Sequence, residues 1–215
     1  MSNRELPVTA RRTQAERREA TRAALLEAAR PLFAERGYEA VSSEEIVAAA
    51  GVTRGALYHH FDGKRGLFAA VFEEVEAELT ASFDLSGLDA GDPLGVLLAA
   101  VDQFLDLSLD SQAQQIVLID GPAVLGWEDW HEVERRYGLG LIEAGITAAI
   151  DAGQIPPLPV PELAVMVLGA LTEAGLQLAR AEDPEAARER AAAGLRALLS
   201  GLAAQKSSSP VRPRP

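Results

Sequence analysis

A chain of 215 residues, 48% hydrophobic but only 5% aromatic, has material for one sizeable core, or for a small domain joined to a larger one, built mainly from Leu, Ala and Val. It has no cysteine, which excludes disulfides and thiolate metal sites. The formal net charge of -12 is uneven: residues 1–68 carry 11 Lys and Arg against 9 Asp and Glu, and the rest carries 9 against 23, an asymmetry that suggests two parts facing different partners.

The opening MSNRELPVTARRTQ lacks the apolar run of a signal peptide, and no uncharged stretch is long enough to span a bilayer. A cytoplasmic protein with no membrane partner is expected. Residues 1–13 read as a disordered basic arm with Arg11 and Arg12 near its end. Thr13 and Glu16 then fit a capping box, starting a helix that runs to about Arg36 and is stopped by Gly37. Leu25, Leu26, Ala29, Leu32 and Phe33 form its inward stripe, and Pro31 predicts a kink.

Ser42 or Ser43 caps a short second helix, with Glu44 and Glu45 in its first turn, where the helix dipole favours acids. It ends at Ala50, and Gly51 makes the turn. Thr53 caps a third helix to about His60. Asp62 is expected to cap a fourth, whose apolar positions Leu67, Phe68, Val71, Phe72 and Val75 recur at helical spacing. The segment 84–92 reads as a linker. Helices follow at about 93–109, 111–120 and 127–152, then an extended connection over 154–159. Helices 161–180 and 184–202 precede a disordered tail over 205–215. No stretch reads as a strand, so the predicted fold is all-α.

Two short helices joined across one glycine, the second capped by a threonine, form the helix-turn-helix pattern. With Leu57 facing inward, Gly55 and His59 point outward, Ala56 and Tyr58 lie on the shoulders, and Arg54 and His60 lie nearer the base. This face carries no carboxylate of its own. Arg54 has the fork for a guanine edge, the Ala56 methyl suits a thymine methyl, and Tyr58, His59 and His60 can donate to phosphates or base edges. Lys64 and Arg65 fall in the first turn of the fourth helix, where the dipole disfavours cations by about 0.3–1 kcal/mol each. A bound polyanion would resolve that conflict.

The run TRAALLEAARPLFAERGYEAVSSEEIVAAAGVTRGALYHHFDGKRGLF resembles the DNA-binding domain of the tetracycline-repressor (TetR) family, most specifically in AGVTRGALYHHF followed by Lys64. The resemblance implies a DNA-binding domain over 14–78 and a helical ligand-binding and dimerisation domain over 84–204. It implies a sequence-specific regulator, in the family's usual form a repressor released from a palindromic double-stranded operator by a small molecule. Thr53, Arg54, Gly55 and Ala56 match positions that meet bases and backbone. Tyr58, His59 and Lys64 match positions that hold phosphates, and Thr21 and Arg22 match the start of a helix that touches the DNA backbone. Ser43 and His60 complete the expected DNA-facing set. Val47, where the family more often has alanine, and Pro31 depart from the pattern.

In the larger part, residues 161–202 combine small and apolar residues, among them Gly169, Ala170, Ala174, Gly175, Ala187, Ala191, Gly194, Leu195, Leu198 and Leu202. They are the expected homodimer face, pairing with a second copy as four helices. An apolar or aromatic effector is expected near Phe104, Trp127, Trp130 and Tyr137, with Glu128, His131 and Glu173 as polar candidates; the aromatic residues fit an ordinary core as well.

Neither a metal nor a cofactor is expected. His59 and His60 diverge by about 100° on a helix and lack a third ligand. Gly138-Leu139-Gly140 with Gly145 follows no strand, so close helix packing fits it better than a dinucleotide fingerprint. No nucleophile or acid–base constellation supports an enzyme. An architectural or non-specific DNA-binding protein is the other reading the sequence admits.

Overall fold

A computed structural model describes residues 13–204; of the expected arm and tail, all but Thr13 lie outside that range. Among the described residues the chain is all-α, as expected from its composition. The first helix, α1 (Gln14–Ala40), opens with the Thr13–Glu16 capping box. It stays helical through Pro31 and departs from helical geometry only at Gly37, whose φ is 74°. Gly37, where the sequence has the helix stop, is the residue with access to that backbone region.

The next two helices, α2 (Ser43–Ala49) and α3 (Arg54–His60), are separated by Gly51 at φ 65°. Ser42 rather than Ser43 is the α2 cap, and it forms a capping box with Glu45. The Thr53 hydroxyl accepts from the Ala56 amide at 3.2 Å and caps α3. The fourth helix, α4 (Gly63–Ser82), begins without a side-chain cap, contrary to the role expected of Asp62. Leu25, Phe33, Ile46, Leu57, Leu67 and Phe68 are fully buried where α1 to α4 meet.

The larger part comprises α5 (Pro93–Leu107), the single turn α6 (Ser111–Ala113), a π-helical turn (Gln114–Asp120), α7 (Gly121–Arg136), α8 (Gly138–Asp151), α9 (Val160–Arg180) and α10 (Pro184–Ala204). Two expectations need correction here. The helix expected over 111–120 is mostly π-helical, a geometry with no simple sequence signature. The helix expected over 127–152 is two helices, broken at Tyr137, and α7 bends further at Gly126, whose φ is 75°. The glycines do serve close packing. An added Cβ would lie 2.9 Å from the Arg135 carbonyl at Gly140 and 3.0 Å from Leu97 at Gly145.

One contiguous core runs from the small N-terminal bundle into the larger one, with α4 shared between them through Val71, Phe72 and Val75. Glu162 and Glu173 interrupt α9, so the expectation of no uncharged membrane-length stretch stands. Even so, α9 as a whole is long and apolar enough to cross a membrane by length and composition. It is instead packed against α5, α8, α10 and the π turn, with Leu168, Leu171 and Leu178 buried.

Candidate nucleic-acid interface and effector cavity

The exposed side of α3 presents Arg54, Gly55, Tyr58 and His59, with Ala56 and His60 half-buried beside them. Leu57 alone on α3 is fully buried and anchors the helix. Tyr58 is 54% exposed, with its ring open to solvent beside Arg54. Nothing lies within 4 Å of a Cβ built on Gly55 except the Thr53 hydroxyl oxygen at 3.8 Å, so another surface can approach this turn closely.

The face is not free of carboxylates in space, as its own sequence suggested. Glu44 reaches across from the first turn of α2 and pairs with the Arg54 guanidinium at 2.7 Å, while Arg54 also stacks 5.7 Å from the Tyr58 ring centroid. Both charged groups are largely exposed, so a phosphate or base edge can displace the carboxylate at modest cost.

Thr21 and Arg22 are half-buried on α1; the Thr21 hydroxyl donates to the Arg17 carbonyl, and Arg22 lies over the Phe61 ring. Burial first, then the positive neighbours His59, Arg18 and Arg22, push the His60 pKa down and favour its neutral form. Ser43 is half-buried at the start of α2.

Lys64 occupies a different environment from the open phosphate site its sequence position suggested. Its Nζ donates to the carbonyls of Tyr38 and Val41, each at 2.9 Å, and lies 3.9 Å from the Tyr38 ring centroid. Arg65 leaves the interface altogether: its guanidinium donates to the Val124 and Leu125 carbonyls and to the Asp129 carboxylate on α7. Asp120, at the end of the π turn, accepts the Tyr38 amide at 2.7 Å. Residues at the end of α1 and the start of α4 are thus bonded directly to the larger bundle.

Within that bundle α4, α5, α7, α8, α9 and the π turn enclose a cavity of about 100 Å³. Of the expected effector residues, Phe104 and Trp130 line it. Trp127, Glu128, His131, Tyr137 and Glu173 do not. Trp127 is 66% exposed and stacks on His131, Glu128 and Glu173 are exposed, and Tyr137 faces Glu73. The two tryptophans do share a face, as the sequence suggested, with ring centroids 5.7 Å apart, but only Trp130 lines the cavity.

The polar groups that line the cavity include two the sequence reading missed, Glu76 on α4 and Glu134 on α7. Both are buried and hydrogen-bonded to each other. Burial, then the neighbouring Glu134 charge, raises Glu76 well above the usual carboxyl range. Burial pushes Glu134 up to about 7, while the bond from Glu76 opposes that rise. Burial of the pair thus favours one proton shared between the two carboxyls over two charges. A signal was present: Glu76 continues the Phe72 face at four-residue spacing, and Glu134 follows Trp130 by four. The Trp130 Nε1 is buried with no hydrogen-bond partner.

Residues 25–71 match the family model for bacterial regulatory proteins of the tetR family, and residues 95–202 match a tetracyclin repressor-like C-terminal domain. The chain is 30% identical over 146 residues to the transposon Tn10 TetC protein of Escherichia coli, covering 66% of this chain and 72% of that one. It is 36% identical over 116 residues to the HTH-type transcriptional regulator AcrR of Shigella flexneri, about half of each chain at 51%. A TetR-family transcriptional regulator from Pectobacterium atrosepticum has a crystal structure with a TM-score of 0.73 and 36% identity, covering 89% of this chain and 97% of the other. From the helix-turn-helix at its start to the helical bundle that follows, the chain belongs to the TetR family of transcriptional regulators.

Proposed function

We propose that this regulator binds a palindromic operator as a homodimer and loses affinity for it when a small, largely apolar molecule occupies the α4–α9 cavity. The observation that carries the DNA reading is the exposed face of α3, where Arg54, Gly55, Tyr58 and His59 stand clear of the rest of the domain. A rigid helix bearing an arginine fork, a close-approach glycine and polar aromatics suits the major groove.

Dimer formation is supported by α9 and α10. Met166 is 70% exposed and Leu198 67%, and Gly169, Gly194 and Gly201 have nothing within 4 Å of an added Cβ. These outward small and apolar residues suit the close approach of a second copy. Ala174 and Gly175 instead serve the chain's own core, since a Cβ at Gly175 would lie 2.6 Å from Leu118.

Coupling between the two sites runs through α4. Its Glu76 faces the cavity, its Arg65 is bonded to α7, and its Lys64 is bonded to the end of α1. A ligand that separates α4 from α7 changes the setting of α1 and α3 relative to the partner subunit, and a coupling of order 1–3 kcal/mol is enough for a switch. Selection of genomic fragments by the purified protein tests the reading. A recovered palindrome with half-sites about 34–36 Å apart, or a multiple, supports it. Recovery of fragments with no shared sequence would favour the architectural alternative.

A further inference from the structure

We propose that the cavity takes a small protonated amine, its ammonium group held by the Glu76–Glu134 carboxyl pair. This rests on the reading of the cavity as the effector site and adds the charge of the ligand to it.

Two buried carboxyls in an apolar cavity are costly without a compensating positive charge, and none is paired with them among the described residues. On α7, Arg136 is turned away to Glu73, and Arg135 to Glu132. On α4, Glu73 is held by that same Arg136, and Arg65 is held by Asp129. From α5, Asp102 and Asp106 pair with Arg188 and Arg196 of α10 on another side. The π turn contributes Asp120, which is occupied by the Tyr38 amide. From α9, the Thr172 hydroxyl is satisfied by the Leu168 carbonyl. On α8, Gly138 faces the pair, and a Cβ there would lie 3.0 Å from a Glu134 carboxylate oxygen. The upward displacement of both carboxyls has this physical cause: burial with no nearby cation.

A second observation points the same way to a ligand. Trp130, 8% exposed, lines the cavity, and its Nε1 is buried without a hydrogen-bond partner among the described residues. Phe83, Phe104 and Trp130 supply aromatic faces, which favour a cation beside them. The cavity is of the order of the ~150 Å³ that accommodates benzene in an engineered protein, which sets a monocyclic size. The ligand class is therefore a monocyclic amine.

Three probes on one skeleton separate the possibilities: 2-amino-1-phenylethanol as the cation, 1-phenylethane-1,2-diol as its neutral counterpart, and mandelate as the anion. Calorimetry on the full chain should show the amine binding at least about tenfold more tightly than the diol, with mandelate weakest. In the double variant Glu76→Gln, Glu134→Gln, which keeps the side-chain shapes, the preference should vanish while diol affinity holds. Equal or tighter binding of the diol or mandelate overturns the proposal. So does an amine preference that survives in the double variant, or the absence of binding by all three. Operator release is scored separately. An amine that binds without changing DNA affinity removes the effector reading and leaves the ammonium site standing. A diol that binds better and releases DNA does the reverse.

Discussion

Lys64 and Tyr38 form a two-point contact: the lysine Nζ donates to the Tyr38 carbonyl at 2.9 Å and lies 3.9 Å from the centroid of its ring. A cation in the first turn of a helix is locally unfavourable, and sequence alone left a bound phosphate as its compensation. The fold supplies another, because the ammonium satisfies two carbonyls where the chain leaves α1 for α2. Lys64→Met should therefore lower stability by about 1–3 kcal/mol, which in a chain of this size is a fall in Tm of several degrees. Thermal denaturation checks this. An unchanged or raised Tm would mean that these contacts do not stabilise the fold.

The Glu76–Glu134 pair gives stability a pH dependence of definite sign. Glu134 rises from an ordinary 4.5 to about 7 on folding, and Glu76 rises as well, so the folded chain binds more protons than the unfolded one in that interval. The contribution is fully present below about pH 4.5 and is lost as pH rises through 7. Glu45 and His60 act in the opposite sense. The fall of Glu45 to about 2, led by the Arg36 hydrogen bond, places its effect below pH 4.5. His60, lowered by burial from 6.5, opposes the pair within the window, so the pair is read from the difference between wild type and Glu134→Gln. Urea unfolding between pH 5 and pH 8 should show stability decreasing with pH, and Glu134→Gln should flatten the curve. Wild-type and Glu134→Gln curves of the same slope would contradict the buried pair.

Arg65 closes the carbonyls of Val124 and Leu125 just before α7 bends at Gly126. With Arg65→Ala, amide exchange over residues 124–129 should accelerate, while exchange in the buried stretch of α9 stays as it was. Hydrogen exchange read by mass spectrometry resolves both segments. Unchanged protection over 124–129 would mean that the contact does not hold α7 to α4.

Much of the DNA-facing half was legible in sequence because its signals are local. The Thr13 and Ser42 boxes, the Gly51 turn and the Thr53 cap each depend on side chains within three or four residues of the backbone they serve. The effector half depends on placement. Trp127 and Trp130 share a helical face, their rings 5.7 Å apart, yet only the packing of α7 on its neighbours decides that Trp130 lines the cavity while Trp127 is exposed. The π turn over 114–120 sets which residues reach the cavity, yet Gln-Gln-Ile-Val-Leu-Ile-Asp reads as an ordinary helix. Glu44 lies ten residues before Arg54, beyond any helical spacing, so only the fold brings the two together.

The exposed apolar positions of α9 and α10 give a prediction for assembly. Scattering mass at micromolar concentration should be near twice the 22.8 kDa of one chain. Met166→Glu or Leu198→Glu, placing a charge on that face, should shift the protein toward monomer and weaken operator binding. A dimer that survives both substitutions lies elsewhere on the molecule.

The central claim is that α3 reads sequence through Arg54, and it is tested most directly by binding of wild type and Arg54→Ala to operator and scrambled duplexes across a range of salt. Arg54 is exposed and among the described residues pairs only with Glu44 and Tyr58, so its loss should leave Tm nearly unchanged. Operator affinity should fall by about 1–3 kcal/mol with preference relaxed at one base pair per half-site, while scrambled DNA is affected much less. Equal weakening on both duplexes, with the salt slope reduced by about 1 per subunit, would make Arg54 a phosphate contact and contradict the account.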